Sequence, residues 1–194
     1  MRPVCPICNH LQLVLPTGPE KAKLLIIGEY PGVEEIKTGR PWVGAAGEVL
    51  TEELTRAGLN RDYMRITNLW QHKPPAKPRA TPPKSPKARE DWEVAQKTYA
   101  SEFNFHYNQM FKELKGRKGI LLMGSDVTEA LLGVSISSVA GCYVKSDMFP
   151  NGYKVAVAIM NPAVVFRTGP DGMLGETRSG IEKFAEAVRE TDIA

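Results

Sequence analysis

The residues with the most chemical promise sit in two glycine-rich turns. Gly28-Glu29-Tyr30-Pro31-Gly32 follows the apolar run Leu24-Leu25-Ile26-Ile27. A buried strand ending in such a turn aims backbone N–H groups and one or two side chains into a cleft, and open α/β sheets bind ligands beyond the carboxyl ends of their strands. The second turn, Trp42-Val43-Gly44-Ala45-Ala46-Gly47, carries an aromatic ring and opens a helix. Together the turns suggest a site for a flat, polar ring beside a phosphate. Gly44 and Gly47 permit close backbone approach to that phosphate, with the helix N-terminus favouring its charge; the alternative is that they only tighten the turn. Cys5-Pro6-Ile7-Cys8 has the spacing of a metal knuckle.

A basic segment adds a further chemical feature. From Lys73 to Arg89 there are six basic residues, six prolines and no acid. Proline at that density forbids helix and central strand, so residues 73–89 should be an extended, mobile loop. Its cations, Lys73 and Arg79 among them, suit a phosphate backbone, although a solvated linker has the same composition.

Four apolar runs bounded by Gly, Asn or Pro are the expected strands: Lys23–Gly28, Met64–Leu69, Gly119–Gly124 and Tyr153–Met160. Helical patterns lie between them at Ala45–Ala57, Glu90–Leu114, Asp126–Leu132 with Ser125 as N-cap, and Glu176–Arg189. Strands alternating with helices predict an α/β fold, a three-layer α/β/α sandwich around a central, mostly parallel four-stranded sheet. The 194 residues, 42% hydrophobic and 24% charged, fit one soluble domain spanning 1–194, with residues 1–22 as a knuckle-bearing extension. The chain has no apolar run of membrane-spanning length and no signal peptide, so a cytoplasmic monomer is expected.

Four blocks carry a family resemblance: Gly28–Gly32, Gly39–Gly47, Asn68–Pro75 and Asn161–Arg167. In order and interval they resemble the uracil-DNA glycosylase superfamily, most closely its family 4, the iron–sulfur type. That family reads Gly-Glu-Ala-Pro-Gly, Gly-Arg-Pro-Phe-Val-Gly-x-Ala-Gly, Asn-x-x-Lys-Cys-Arg-Pro-Pro and His-Pro-Ala with a following Arg. The resemblance implies an enzyme of DNA repair that flips uracil, or a related damaged or modified pyrimidine, out of the stack and hydrolyses its N-glycosidic bond. DNA is then the partner. A protein that binds the base without turnover is the alternative, and a phosphate-binding α/β protein unrelated to DNA is a third reading.

By the same resemblance Trp42, at the family's Phe position, stacks on the flipped base, and Asn68 reads its edge, accepting from N3–H and donating to O4. Gly28 and Tyr30 belong to the base-binding wall, and Glu29 lies near the edge of the base, where it helps to exclude the thymine methyl. Asn161, at the family's His position, donates to the charge developing on uracil O2. Val164, Val165, Phe166 and Arg167 resemble the loop that fills the vacated space in the minor groove. Two departures stand out. Tyr30 replaces a small Ala, and Asn161 cannot carry the positive charge available to a His. No Asp in the first motif is available to activate water, so leaving-group stabilisation must carry more of the rate.

The family holds a [4Fe–4S] cluster with four cysteines. Here Cys5 and Cys8 match the first pair, His72 stands at the third position, and His106 lies near the fourth. Two thiolates and two imidazoles suit tetrahedral Zn²⁺ better than a cluster. The expected cofactor is therefore a structural metal that the chemistry does not require. His10 is the reserve ligand, and a remnant knuckle without metal is the alternative.

Overall fold

The computed structural model describes residues 2–164 and 173–193, with only the backbone of Val164, Met173 and Leu174. Its strands are β1 Leu24–Gly28, β2 Met64–Asn68, β3 Gly119–Met123, β4 Cys142–Tyr143 and β5 Val155–Ile159, in the order β2-β1-β3-β5-β4. The first three neighbours in that order pair in parallel, and β4 alone is antiparallel, against β5. The sheet therefore has five strands where four were expected. The added one is a two-residue exposed edge, too short and too polar in setting to leave an apolar signature.

β1, β3 and β5 are apolar throughout while β2 carries Arg65, Thr67 and Asn68, and the two-residue period sorts side chains onto opposite faces. Leu24, Ile26, Leu121, Met123, Val157 and Ile159 face one core. Helices α2 (Ala45–Arg56) and α5 (Met173–Glu190) cover it, contributing Leu50, Leu54, Ile181 and Phe184. Leu25, Ile27, Ile120, Leu122, Ala156 and Ala158 face the other core. That face is covered by α3 (Pro86–Glu113) through Met110 and by α4 (Ser125–Leu132) through Val127 and Leu131. A short helix α1 (Val33–Thr38) follows the first glycine turn. The three-layer expectation holds.

Two boundaries move for identifiable reasons. Helix α3 begins at Pro86 rather than Glu90, because Ser85 caps it by accepting from the Ala88 N–H and Pro occupies the first helical position. The basic loop thus ends at Ser85. It is also held down: Trp92 Nε1 on α3 donates to the Arg79 carbonyl at 2.9 Å, and Lys77 lies 3.5 Å from Glu129. Helix α4 is capped by Gly124, at φ 112°, instead of by Ser125. A Cβ on Gly124 would lie 2.4 Å from the Glu29 carboxyl carbon. Only glycine lets that carboxylate cross beneath the start of α4. Among the described residues no helix is long and apolar enough to cross a membrane.

Candidate functional site

The order β2-β1-β3-β5 has its switch point between β1 and β3, where crossovers leave to opposite sides and a crevice opens at the carboxyl ends. A cavity of about 530 Å³ lies there. Every parallel strand contributes to its wall: β1 through Glu29 and Tyr30, β2 through Asn68, β3 through Asp126 and β5 through Asn161. Trp42 joins them from the second glycine turn. The structure therefore brings the expected base-site residues together.

Gly28 is the hinge of this wall. A Cβ there would sit 2.4 Å from the Trp42 ring and 2.6 Å from Asn68 Oδ1, so the indole and the carboxamide close over a bare Cα. Gly28→Ala should force both apart and cost about 1–3 kcal/mol as overpacking. The midpoint of equilibrium denaturation checks this, and an unchanged midpoint would count against the close approach. Trp42 itself has φ 57°, a sparsely populated region for a bulky residue. Arg61 holds the loop in that shape by donating to the carbonyls of Pro41 at 3.0 Å and Gly47 at 3.3 Å.

Two polar atoms in the wall are orphaned. Trp42 Nε1 and Asn68 Oδ1 are fully buried with no partner among the described residues. Leaving a buried donor or acceptor unpaired costs about 1–3 kcal/mol, so a ligand with complementary groups is the natural complement. Asn161 is, by contrast, fixed. Its Oδ1 accepts the Ala163 N–H at 3.0 Å and its Nδ2 donates to Glu29 Oε2 at 2.9 Å. That leaves the second Nδ2 hydrogen for a base carbonyl. Glu29 Oε1 in turn accepts the Asp126 N–H at 3.0 Å. Glu29 is accordingly a positioning residue for Asn161. Tyr30 is 44% exposed on the rim.

Glycine positions around α2 also resolve. Glu35, only 8% exposed, accepts the N–H groups of Val43 at 2.9 Å and Gly44 at 2.8 Å. The anion at this helix start is thus the protein's own carboxylate, and the Gly44 N–H is already engaged. Gly47 lies against the Trp42 carbonyl, where a Cβ would approach to 2.1 Å. Both fit the tight-turn alternative. Lys73 and Arg79 are exposed on the basic loop. The backbone of Val164 closes a 3₁₀ turn, Pro162–Val164, while Val165, Phe166 and Arg167 lie outside the described residues.

Sequence reasoning missed Glu35, Arg61 and Asp126. The first two act through contacts that no local motif announces. Asp126 was legible by the rule applied to Gly28–Gly32, since it stands in the first turn of α4, three residues past the carboxyl end of β3.

A second cluster lies behind Trp70. Cys5, His72 and His106 are at most 1% exposed, and Cys8 is half-buried. Cys5 Sγ lies 3.9 Å from His106 Nε2, and Cys8 Sγ lies 3.9 Å from His72 Nε2. His106 Nδ1 lies 2.6 Å from Gln71 Oε1 and 3.3 Å from the Gln71 backbone N, and His72 Nδ1 lies 2.8 Å from the Lys73 carbonyl. Such outer bonds fix the tautomer of a metal-binding His. The two Nε2 atoms lie 2.8 Å apart, a hydrogen bond when one of them carries the proton and a pair of metal donors when neither does. Burial, reinforced by His72, lowers the His106 pKa to about 3, keeping its ring neutral. Burial also raises the Cys5 thiol.

Tetrahedral bonds of roughly 2.3 Å to sulfur and 2.0 Å to nitrogen separate S and N donors by about 3.6 Å. Cys5, Cys8 and His72 bring their donor atoms within 4.8 Å of one another, and His72, Glu102 and His106 form a second such group that shares His72. A four-iron cluster is held by four thiolates, whereas the donors gathered here are two thiolates and two imidazoles. His10 turns away, its Nδ1 on the Cys8 carbonyl at 2.6 Å. Glu102, 5% exposed and 3.5 Å from His72 Nε2, is an unforeseen neighbour.

With that geometry in view, comparison with known proteins is direct. Residues 15–186 match the family model described as Uracil DNA glycosylase superfamily. The chain belongs to that superfamily. Within it, the chain is similar to type-4 uracil-DNA glycosylases. That of Pyrobaculum aerophilum is 43% identical over 72 residues, 37% of this chain and 37% of that protein. That of Thermotoga maritima is 40% identical over 79 residues, 40% of this chain and 41% of that protein. That of Archaeoglobus fulgidus is 46% identical over 65 residues, 34% of this chain and 33% of that protein. The matched stretch thus spans about two fifths or less of each relative.

Proposed function

We propose that the protein is a DNA glycosylase that hydrolyses the N-glycosidic bond of uracil, or of a related modified pyrimidine, after the base has left the stack. The observation that carries this reading is the buried Asn68 carboxamide, whose Oδ1 is unpaired in the wall of a cavity shared with Trp42 and Asn161. Uracil presents an N3–H beside O4, so one carboxamide pairs with both; cytosine has an acceptor at N3 and does not match. Trp42 stacks on the ring, a contact of roughly 1–3 kcal/mol per base. Asn161 donates to O2 as negative charge gathers on the departing base. Lys73 and Arg79 attract the phosphate backbone. Val164 and Arg167 belong to the wedge that the family resemblance implies.

Cys5, Cys8, His72 and His106 hold a single Zn²⁺. When bound, the ion supplies a crosslink between the N-terminal knuckle, the loop after β2 and α3, and takes no part in bond cleavage.

Incubation with oligonucleotides containing one uracil, cytosine or thymine, followed by alkali, tests the reading. Strand breakage at uracil alone is expected. Asn68→Asp should erode that selectivity, because a carboxylate cannot donate to O4; unchanged selectivity would remove Asn68 from base reading. A second reading, a uracil-DNA binder without turnover, is favoured by Asn161 standing where the resemblance implies His. Retention of uracil DNA without breakage would support it.

A further inference from the structure

Three carboxylates line the cavity, and two of them hold its walls through hydrogen bonds. Glu29 uses both oxygens, on the Asp126 N–H and on Asn161. Glu35 is buried and caps α2 through Val43 and Gly44. Asp126 differs. It is half-buried between this cavity and a neighbouring one lined by Lys77, Tyr99 and Glu129, and its side-chain oxygens accept no hydrogen bond from the described residues. Its place follows from the sheet: β1 and β3 are parallel neighbours with Ile27 opposite Leu122, so the turn after β3 emerges beside Glu29 and Tyr30. The β1 turn offers Tyr30 and a Glu29 whose oxygens are both engaged, while the turn after β3 brings a further carboxylate to the same crevice.

Resting on the glycosylase reading above, we propose that Asp126 is the general base that activates the attacking water. An Asp126 oxygen takes a proton from water as the water oxygen bonds to C1′ of the sugar. The C1′–N1 bond breaks with its electron pair on uracil, whose O2 meets the Asn161 amide. Asp126 then returns its proton to solvent, and the uracil anion takes one from solvent. The products are free uracil and an abasic sugar. The ionised carboxylate also favours the positive charge developing on the sugar.

The groups facing Asp126 are Glu29 at the end of β1, Lys77 on the basic loop, Glu129 on its own helix and Tyr99 on α3. Burial, then Glu29, raise its carboxyl above the usual range, with Lys77 opposing. Catalysis by the ionised form should therefore fade as pH falls through that raised value.

Single-turnover release of uracil from a one-uracil oligonucleotide, followed across pH, is the test. Asp126→Asn keeps the backbone N–H that holds Glu29. It should slow release about 100-fold, at the low end for loss of a general base, and abolish the acid limb of the profile. Binding of an oligonucleotide carrying a non-hydrolysable 2′-fluoro-deoxyuridine should change less than about twofold. Added formate should restore part of the rate to Asp126→Ala. The proposal is overturned if Asp126→Asn stays within threefold of the parent, keeps the acid limb, or loses binding in step with rate. An unmodified protein that releases no uracil at all would instead refute the glycosylase reading itself.

Discussion

Asn161→Ala is expected to slow single-turnover uracil release by roughly 100- to 1,000-fold, the usual cost of removing one preorganised donor from developing negative charge. The geometry pushes the effect toward the upper end. Asn161 is fixed at both ends, by the Ala163 N–H and by Glu29 Oε2, so its free hydrogen needs no reorganisation as the base departs. Removing the amide also leaves Glu29 with a bare oxygen facing the base, and a carboxylate there opposes charge on the leaving group. Affinity for uracil DNA should change little, because stacking on Trp42 and pairing with Asn68 do not involve Asn161. The fold should survive, since Glu29 keeps its bond from the Asp126 N–H. Comparison of rate with binding checks this; an equal loss in both would mean that Asn161 acts on the ground state alone.

Removal of the metal should have the largest effect on stability. A ligand present at about a thousand times its dissociation constant stabilises the folded state by about 4 kcal/mol. For a chain of this size that is a shift in melting temperature of roughly 8–16 °C. His106→Ala, or exhaustive chelation, should produce a drop of that order, with bound zinc falling from about one equivalent to near none. The affected region should be local: Cys5 lies in the N-terminal segment, which reaches the body through the Val14 N–H bond to the Gln71 carbonyl and the Thr17–Ile66 bridge. Metal analysis of protein purified without a His tag, paired with thermal melts, is the check. Less than a tenth of an equivalent of zinc and iron together would refute the site.

Much of this architecture is written in local pattern. Leu24–Gly28 is an unbroken apolar run ending in glycine, Gly119–Met123 one followed by Gly124, and such runs have few alternatives to a buried parallel strand. The base-site residues were legible because each sits at a strand end or in a glycine turn. What stayed hidden depends on tertiary contact. Glu35 reads as a surface helix residue until the Trp42 loop folds back over it. β4 is two residues long and exists only because β5 offers it an edge. The start of α3 is a different case: Ser85-Pro86 is a local helix signal, obscured by the proline-rich stretch before it. His106 was placed by its position in the chain, and only the fold could bring its ring to His72 across α3 and the loop after β2.

The central claim is that this cavity releases uracil from DNA, and detection of the free base tests it most directly. The protein should be incubated in excess with an oligonucleotide bearing a single uracil, and the small-molecule fraction examined by mass spectrometry. The account predicts one equivalent of free uracil and an oligonucleotide lighter by the lost base, with almost none from Asn161→Ala over the same time. An oligonucleotide that is bound and recovered intact, with no free uracil, would contradict it.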